Sequence, residues 1–235
     1  MQDFAAAFGE AFRLIAALDP DLVEIVARTL RVSLGAVAIA CLIGLPLGAA
    51  LAVARFPGRG ALTVLVNALM GLPPVVVGLL IYMLLSAAGP LGALGLLYTV
   101  TAMVIAQSVL VTPIVAALAR QVIEDLHREY DEMLRAMGTT RLGTVATLLW
   151  DARHSLITAA LAGFGRALAE VGAVLIVGGN IDHATRVMTT AIALETSRGE
   201  LALALGLGLI LIALSVMVSA GLMSLRATAA RMAHA

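Results

Sequence analysis

The 235 residues are 61% hydrophobic and only 13% charged, with a mean hydropathy of +1.04. Soluble domains carry nearer a quarter charged residues, so the composition excludes a soluble globular enzyme and specifies an integral membrane protein. All fifteen basic residues are arginine and they balance fifteen acidic ones, a zero net charge that offers no footprint for nucleic acid.

The chain opens Met1-Gln2-Asp3-Phe4 without the basic start of a signal peptide, so no cleavage is expected. Phe4, Phe8, Phe12 and Ile15 recur every three or four residues among Asp3, Glu10 and Arg13, which predicts a helix lying in the membrane interface over 1–20, ended by Asp19-Pro20. A polar entry (Asp21, Glu24, Arg28, Arg31) leads into five apolar segments, 29–54, 61–86, 91–119, 155–178 and 201–225. Each exceeds the roughly 20 residues that carry a helix through about 30 Å of hydrocarbon. A barrel would need short alternating strands, so the fold class is all-α, with a membrane domain over 21–225 and a tail over 226–235.

Three of these segments carry helix-perturbing residues: Pro46 between Gly44 and Gly48, Pro73-Pro74 after Gly71, and Pro113 after Thr112. Proline removes a backbone hydrogen bond and bends a helix, whereas the glycines permit close helix approach. As a set they suit a gated bundle as well as static kinks. Cys41 stands alone in an apolar segment and can form no internal disulfide. His127, His154, His183 and His234 show no ligand spacing, so no metal is expected.

Between the third and fourth segments the character changes. Residues 120–153 hold eleven of the thirty charged side chains: Arg120, Glu124, Asp125, Arg128, Glu129, Asp131, Glu132, Arg135, Arg141, Asp151 and Arg153. This stretch must lie in water. Glu132 is followed by helix formers through Met137 and then by Gly138, which can take the left-handed conformation that ends a helix. Thr139-Thr140 reads as a turn whose hydroxyls cap a second helix over 142–150. Two short helices at an angle make a knob suited to a partner's groove.

In the fourth segment, Arg166 lies eleven residues past Ser155, roughly 16 Å deep at about 1.5 Å per residue. Charge at that depth costs at least about 3 kcal/mol, so Arg166 and Glu170 are expected to face protein or a water-filled path. On a continuous helix their i, i+4 spacing puts them on one face. Either they line a path or they form a structural pair. The following stretch, with Asn180, Asp182, Arg186, Arg198 and Glu200, reads as an outer connection containing a short helix or re-entrant segment over 187–195. Arginine placement sets the orientation: with the N-terminus outside, nine arginines (55, 59, 120, 128, 135, 141, 153, 226 and 231) lie inside and five (13, 28, 31, 186 and 198) outside. The excess predicts N-out and C-in, with the charged loop in the cytoplasm.

The Glu132, helix, Gly138, helix arrangement resembles the EAA loop of permease subunits of ABC importers, although this chain has Glu132-Met133-Leu134 for Glu-Ala-Ala and Trp150-Asp151 where a Leu-Pro pair usually ends the motif. Together with RFPGR (55–59), GLPPVVVGLL (71–80), GFGRALAEVGAVLIVGGNI (163–181) and RVMTTAIALETSRGE (186–200), the chain is similar over 20–225 to the molybdate and tungstate branch, closer to the tungstate type. That resemblance implies a type I importer permease in the cytoplasmic (inner) membrane, with its coupling loop over 120–154. The implied assembly has two copies of this permease, two cytoplasmic ATPases that bind ATP and magnesium, and an extracytoplasmic oxyanion-binding protein. Site roles follow from it: ATPase coupling by Glu132, Met133, Leu134, Ala136, Gly138, Thr139 and Arg141; a translocation core including Arg166, Glu170, Pro73, Pro74 and Asn180; and binding-protein docking by Asp182, Arg186, Arg198 and Glu200.

The chain itself has no P-loop and no lysine, so ATP is expected to be hydrolysed in trans and no cofactor is expected here. No regulatory domain is expected after Leu225. A molybdate or sulfate permease is the near alternative. An ion-coupled secondary transporter would show internal repeats, and an intramembrane enzyme would need a base or metal ligands beside Ser108, Ser215 or Ser219.

Overall fold

The structure, a computed structural model, describes residues 4–233; residues 1–3, His234 and Ala235 lie outside it. The described residues form ten α-helices and one 3-10 turn, with no strand among them: α1 (Phe4–Ala16), α2 (Pro20–Val53), α3 (Arg59–Leu69), α4 (Pro74–Leu85), the turn Gly92–Leu94, α5 (Val100–Ala136), α6 (Arg141–Asp151), α7 (Arg153–Leu168), α8 (Gly172–Gly178), α9 (Met188–Arg198) and α10 (Leu201–Ala233). The all-α reading holds. Three helices, α2, α5 and α10, are long and apolar enough to cross a membrane, and there are five spans if the interrupted pairs α3–α4 and α7–α8 each count as one.

Three spans read as continuous need correction. The 61–86 segment breaks between Leu69 and Pro74, where Pro73 is extended (φ −63°, ψ 120°) and Pro74 opens α4. A residue before proline avoids the helical region, and proline's fixed φ and missing N–H suit the first turn. The 91–119 segment becomes helical only at Val100, and the 155–178 segment is interrupted after Leu168. Pro46 and Pro113, by contrast, lie inside α2 and α5, which continue through them.

The chain divides into two compact units, one of residues 4–35, Pro73–Gln107 and Ala167–Met217, the other of Ala36–Leu72, Ser108–Arg166 and the chain from Val218. In the first, Leu22, Ile25, Met188, Ala191 and Leu207 form a buried core, joined by Leu14 and Ile15 of α1. Helices α4 and α8 touch so closely that a Cβ on Gly78 would lie 2.8 Å from Ala173 Cα, and one on Gly172 would lie 2.9 Å from Val75 Cγ2. Only glycine fits such an approach.

In the second unit, α2 and α5 meet across Gly48, where an added Cβ would stand 2.3 Å from the Ala116 carbonyl oxygen. Ala49, Ala52, Ala119, Ile123, Leu134, Leu148, Ala152 and Leu156 form its core, which binds α6 and the start of α7 to the ends of α2 and α5. Arg59 ties down the turn after α2: its Nε donates to the Leu51 carbonyl (2.6 Å) and a terminal nitrogen to that of Ala52 (3.2 Å). A cation on the last carbonyls of a helix also meets its negative dipole end. Glu124 of α5 gathers Arg59 (3.4 Å), Arg120 and Arg128 (3.5 Å) around one carboxylate.

Candidate functional site

Two groups of sequence-selected residues acquire a defined geometry. The first is the knob formed by the end of α5 and by α6. Gly138 has φ +65°. Its N–H donates to Arg135 O (3.0 Å) and the Thr139 N–H to Leu134 O (3.1 Å), the paired bonds that close a helix with a left-handed residue. The Thr139 hydroxyl donates to the same Leu134 carbonyl at 2.6 Å. Thr140, extended at φ −71° and ψ 159°, accepts from the Gly143 N–H at 3.2 Å and starts α6. The sequence assigned both hydroxyls to the second helix; Thr139 instead closes the first.

Of the candidates for coupling, Glu132, Met133, Ala136, Gly138, Thr139 and Arg141 are exposed. Leu134, by contrast, is 3% exposed and packs in the core with Ile123 and Leu148. It stands two residues, or about 200° around the helix, from both Glu132 and Ala136, so the face that presents those two turns Leu134 inward. Three apolar side chains that sequence reasoning did not select are exposed on the knob: Met137 (60%), Leu142 (84%) and Trp150 (71%). Their signal was large apolar residues within the most charged stretch of the chain. The Arg153 guanidinium lies 4.8 Å from the Trp150 ring centre, a cation–π contact.

The second group surrounds the α7–α8 interruption. Helix α7 ends at Leu168, so Glu170 lies two residues beyond its last turn rather than within it. Glu170 is 4% exposed and its carboxylate accepts from the Ala173 N–H at 3.1 Å, satisfying an orphan amide at the start of α8. The broken backbone is held from elsewhere in the first unit. The Thr189 hydroxyl donates to Glu170 O (2.8 Å), and Gln107 Nε2 donates to Ala167 O (3.0 Å). Arg166 is half-buried. Neither Thr189 nor Gln107 was singled out from the sequence, and only their polar character within apolar stretches could have marked them.

The outer connection is more buried than expected. Helix α9 hides Met188, Thr189, Thr190, Ala191 and Glu195. Asn180 has φ +50° and donates to Thr190 O at 3.5 Å, while its Oδ1 is buried without a partner. Among the docking candidates, Asp182, Arg198 and Glu200 are exposed, but Arg186 has only 14% of its side chain exposed and pairs with Asp182 at 2.9 Å. Its carbonyl also accepts from Arg28 at 3.1 Å. Arg198 pairs with Glu195 at 3.3 Å.

Sequence spacing offered no metal ligands, yet the fold brings donor atoms of Asp21, Glu24 and His183 within 4.8 Å of one another at the surface. Arg28 already pairs with Glu24, and His183 Nδ1 lies 2.8 Å from the Glu24 carboxylate. That hydrogen bond, then the charge of Asp182, holds the His183 imidazole above its ordinary pKa range.

The family model described as the binding-protein-dependent transport system inner membrane component matches residues 44–228. A probable anion ABC transporter permease protein of Haloferax volcanii is 38% identical over 185 residues, 77% of this chain and 80% of that protein. The tungstate uptake system permease protein of Peptoclostridium acidaminophilum is 36% identical over 226 residues, 96% of this chain and 99% of that protein. Its namesake from Campylobacter jejuni is 39% identical over 148 residues, 63% of this chain and 62% of that protein.

Proposed function

The chain belongs to the binding-protein-dependent transport system inner membrane components, and on that premise we propose that it is the permease subunit of an ATP-driven tungstate importer. Members of this family are multi-pass, non-catalytic subunits that work with an ATPase and a binding protein, and so does this chain. The observation that carries the tungstate reading is the alignment with the Peptoclostridium acidaminophilum permease, which spans nearly the whole of both proteins.

In this reading two copies of the chain enclose the path, each with its N-terminus outside and C-terminus in the cytoplasm, served by two ATPases and one binding protein. The knob docks in a groove of the ATPase. Met133, Met137, Leu142 and Trp150 supply apolar contact, and Glu132, Arg141 and the Gly138 turn fix register at the rim. Exposed apolar groups rimmed by charge are the usual form of such a contact. Leu134 and Leu148 are buried beneath the knob, so it moves as part of the packed unit rather than as a loose loop. The interruption around Glu170, with Arg166, Asn180 and the Pro73-Pro74 break, forms the core that alternates between two openings of similar energy. Asp182, Arg198 and Glu200 meet the binding protein. ATP and magnesium are held by the ATPase, and no cofactor is assigned to this chain.

The test is ATP hydrolysis by the purified permease and ATPase complex in lipid, with binding protein added empty or loaded with tungstate, molybdate or sulfate. Stimulation by the tungstate-loaded form at the lowest concentration is expected. Preference for another loaded form moves the substrate, and failure of any ATPase to associate overturns the knob's assignment. Glu132→Arg is expected to abolish stimulation while leaving the protein inserted.

A further inference from the structure

Beside the knob, within the second unit, lies a cleft of about 280 Å³ that shares only Thr139 and Arg141 with the residues assigned to coupling. It is lined by Arg55 after the end of α2, by His127, Asp131 and Arg135 of α5, and by Arg141 and Thr144 of α6. Asp131 is committed to Arg135 through contacts of 2.9 and 2.6 Å. Arg55 and Arg141 form no ion pair with any described residue. Three arginines thus line the cleft with a single carboxylate, Asp131, which His127 Nε2 also approaches at 3.9 Å, so the formal charge of the arginines exceeds that of the acid by two. His127 Nδ1 is buried there without a hydrogen-bond partner.

We propose that this cleft binds a phosphate-like tetrahedral oxyanion group. Guanidinium groups present fork-shaped N–H donors that match such oxygens two at a time. The volume suffices for a tetrahedral anion with several waters, each occupying about 30 Å³ in the liquid. Arg135 and Arg141 flank the Gly138 turn, and Arg55 comes from the loop after α2. A bound anion therefore bridges both helices of the knob to that loop and fixes their mutual angle. The group is carried either by a free anion or by a phospholipid head, which offer the same oxygens. The proposal rests on the cleft alone and stands whether or not the chain carries tungstate.

The experiment uses the full chain in nanodiscs of neutral phosphatidylcholine at low ionic strength, titrated calorimetrically with inorganic phosphate. In parallel, native mass spectrometry measures lipid retention from nanodiscs containing phosphatidylglycerol. Saturable phosphate binding at one site per chain supports the free anion, and retention of about one phosphatidylglycerol supports the lipid head. In either arm the double variant Arg55→Gln, Arg141→Gln should weaken binding at least ten-fold. Arg55→Lys with Arg141→Lys should keep a measurable part of it. Both arginines lack a carboxylate partner, so the thermal midpoint of the protein should not move. Absence of binding in both arms, or binding that the glutamine pair leaves unchanged, overturns the proposal.

Discussion

The chain interrupts helices at two places proposed to serve transport, and it does so by opposite means. At Gly138 the bonds that close α5 and open α6 come from residues within six positions of the turn: Leu134, Arg135, Thr139, Thr140 and Gly143. At Ala169–Val171 the Glu170 carboxylate on the Ala173 N–H and the Glu170 N–H on Ala167 O (3.4 Å) are local, but Gln107 and Thr189 arrive from 60 and 19 residues away. Water surrounds the first turn, so its backbone groups have a cheap alternative partner. A break at membrane depth has none, and each unsatisfied group there costs several kcal/mol. An exposed turn can therefore be written locally, whereas a buried one must be completed by the fold.

Substitutions that load each interruption separately sharpen this contrast. Gly78→Leu should be the most damaging, because its Cβ alone would sit 2.8 Å from Ala173 Cα and force α4 from α8. A loss of roughly 3 kcal/mol is expected, read as a lowered unfolding midpoint in detergent. Glu170→Ala uncaps α8 in a buried place and should cost about 2 kcal/mol by the same assay, with Glu170→Gln recovering much of it. Equal midpoints for the alanine and glutamine variants would refute the capping role.

Gly138→Val places a β-branched residue at φ +65°, a local strain of about 1–2 kcal/mol. It should abolish ATPase coupling while the main unfolding midpoint stays near that of the parent, and Gly138→Asn should retain coupling. Thr140→Ala removes the α6 cap and should cost about 1 kcal/mol, visible as faster amide exchange confined to 141–144. The smallest effect belongs to His183→Asn, which keeps a residue tolerant of φ +53° but removes the imidazole. The folded pKa of His183 is raised, so its bond to Glu24 contributes fully below about pH 6.5 and fades as pH rises through the raised value. The parent should be the more stable at pH 5.5, and the two proteins should converge by pH 8.5.

Composition and the apolar segment lengths determined that the chain is an all-α membrane protein, because backbone groups in hydrocarbon have no partner outside a helix or a closed barrel. The Gly138 turn and α6 were legible for the same kind of reason: closing a helix with glycine and capping one with threonine use only neighbours in sequence. Pro73-Pro74 marked a break, but a proline pair announces a perturbation without saying whether the helix bends or stops. Pro46 and Pro113 were continued through by α2 and α5.

What only the tertiary structure decided are the pairings at a distance. The end of α7 at Leu168 placed Glu170 beyond the helix, where its carboxylate caps the start of α8. The inward turn of Leu134 required the core of Ile123 and Leu148. The meeting of Glu24 with His183 and the gathering of Arg55, Arg135 and Arg141 around one cleft join residues far apart in the chain. Hydropathy and spacing act over a few residues, whereas such contacts depend on which helix faces pack together.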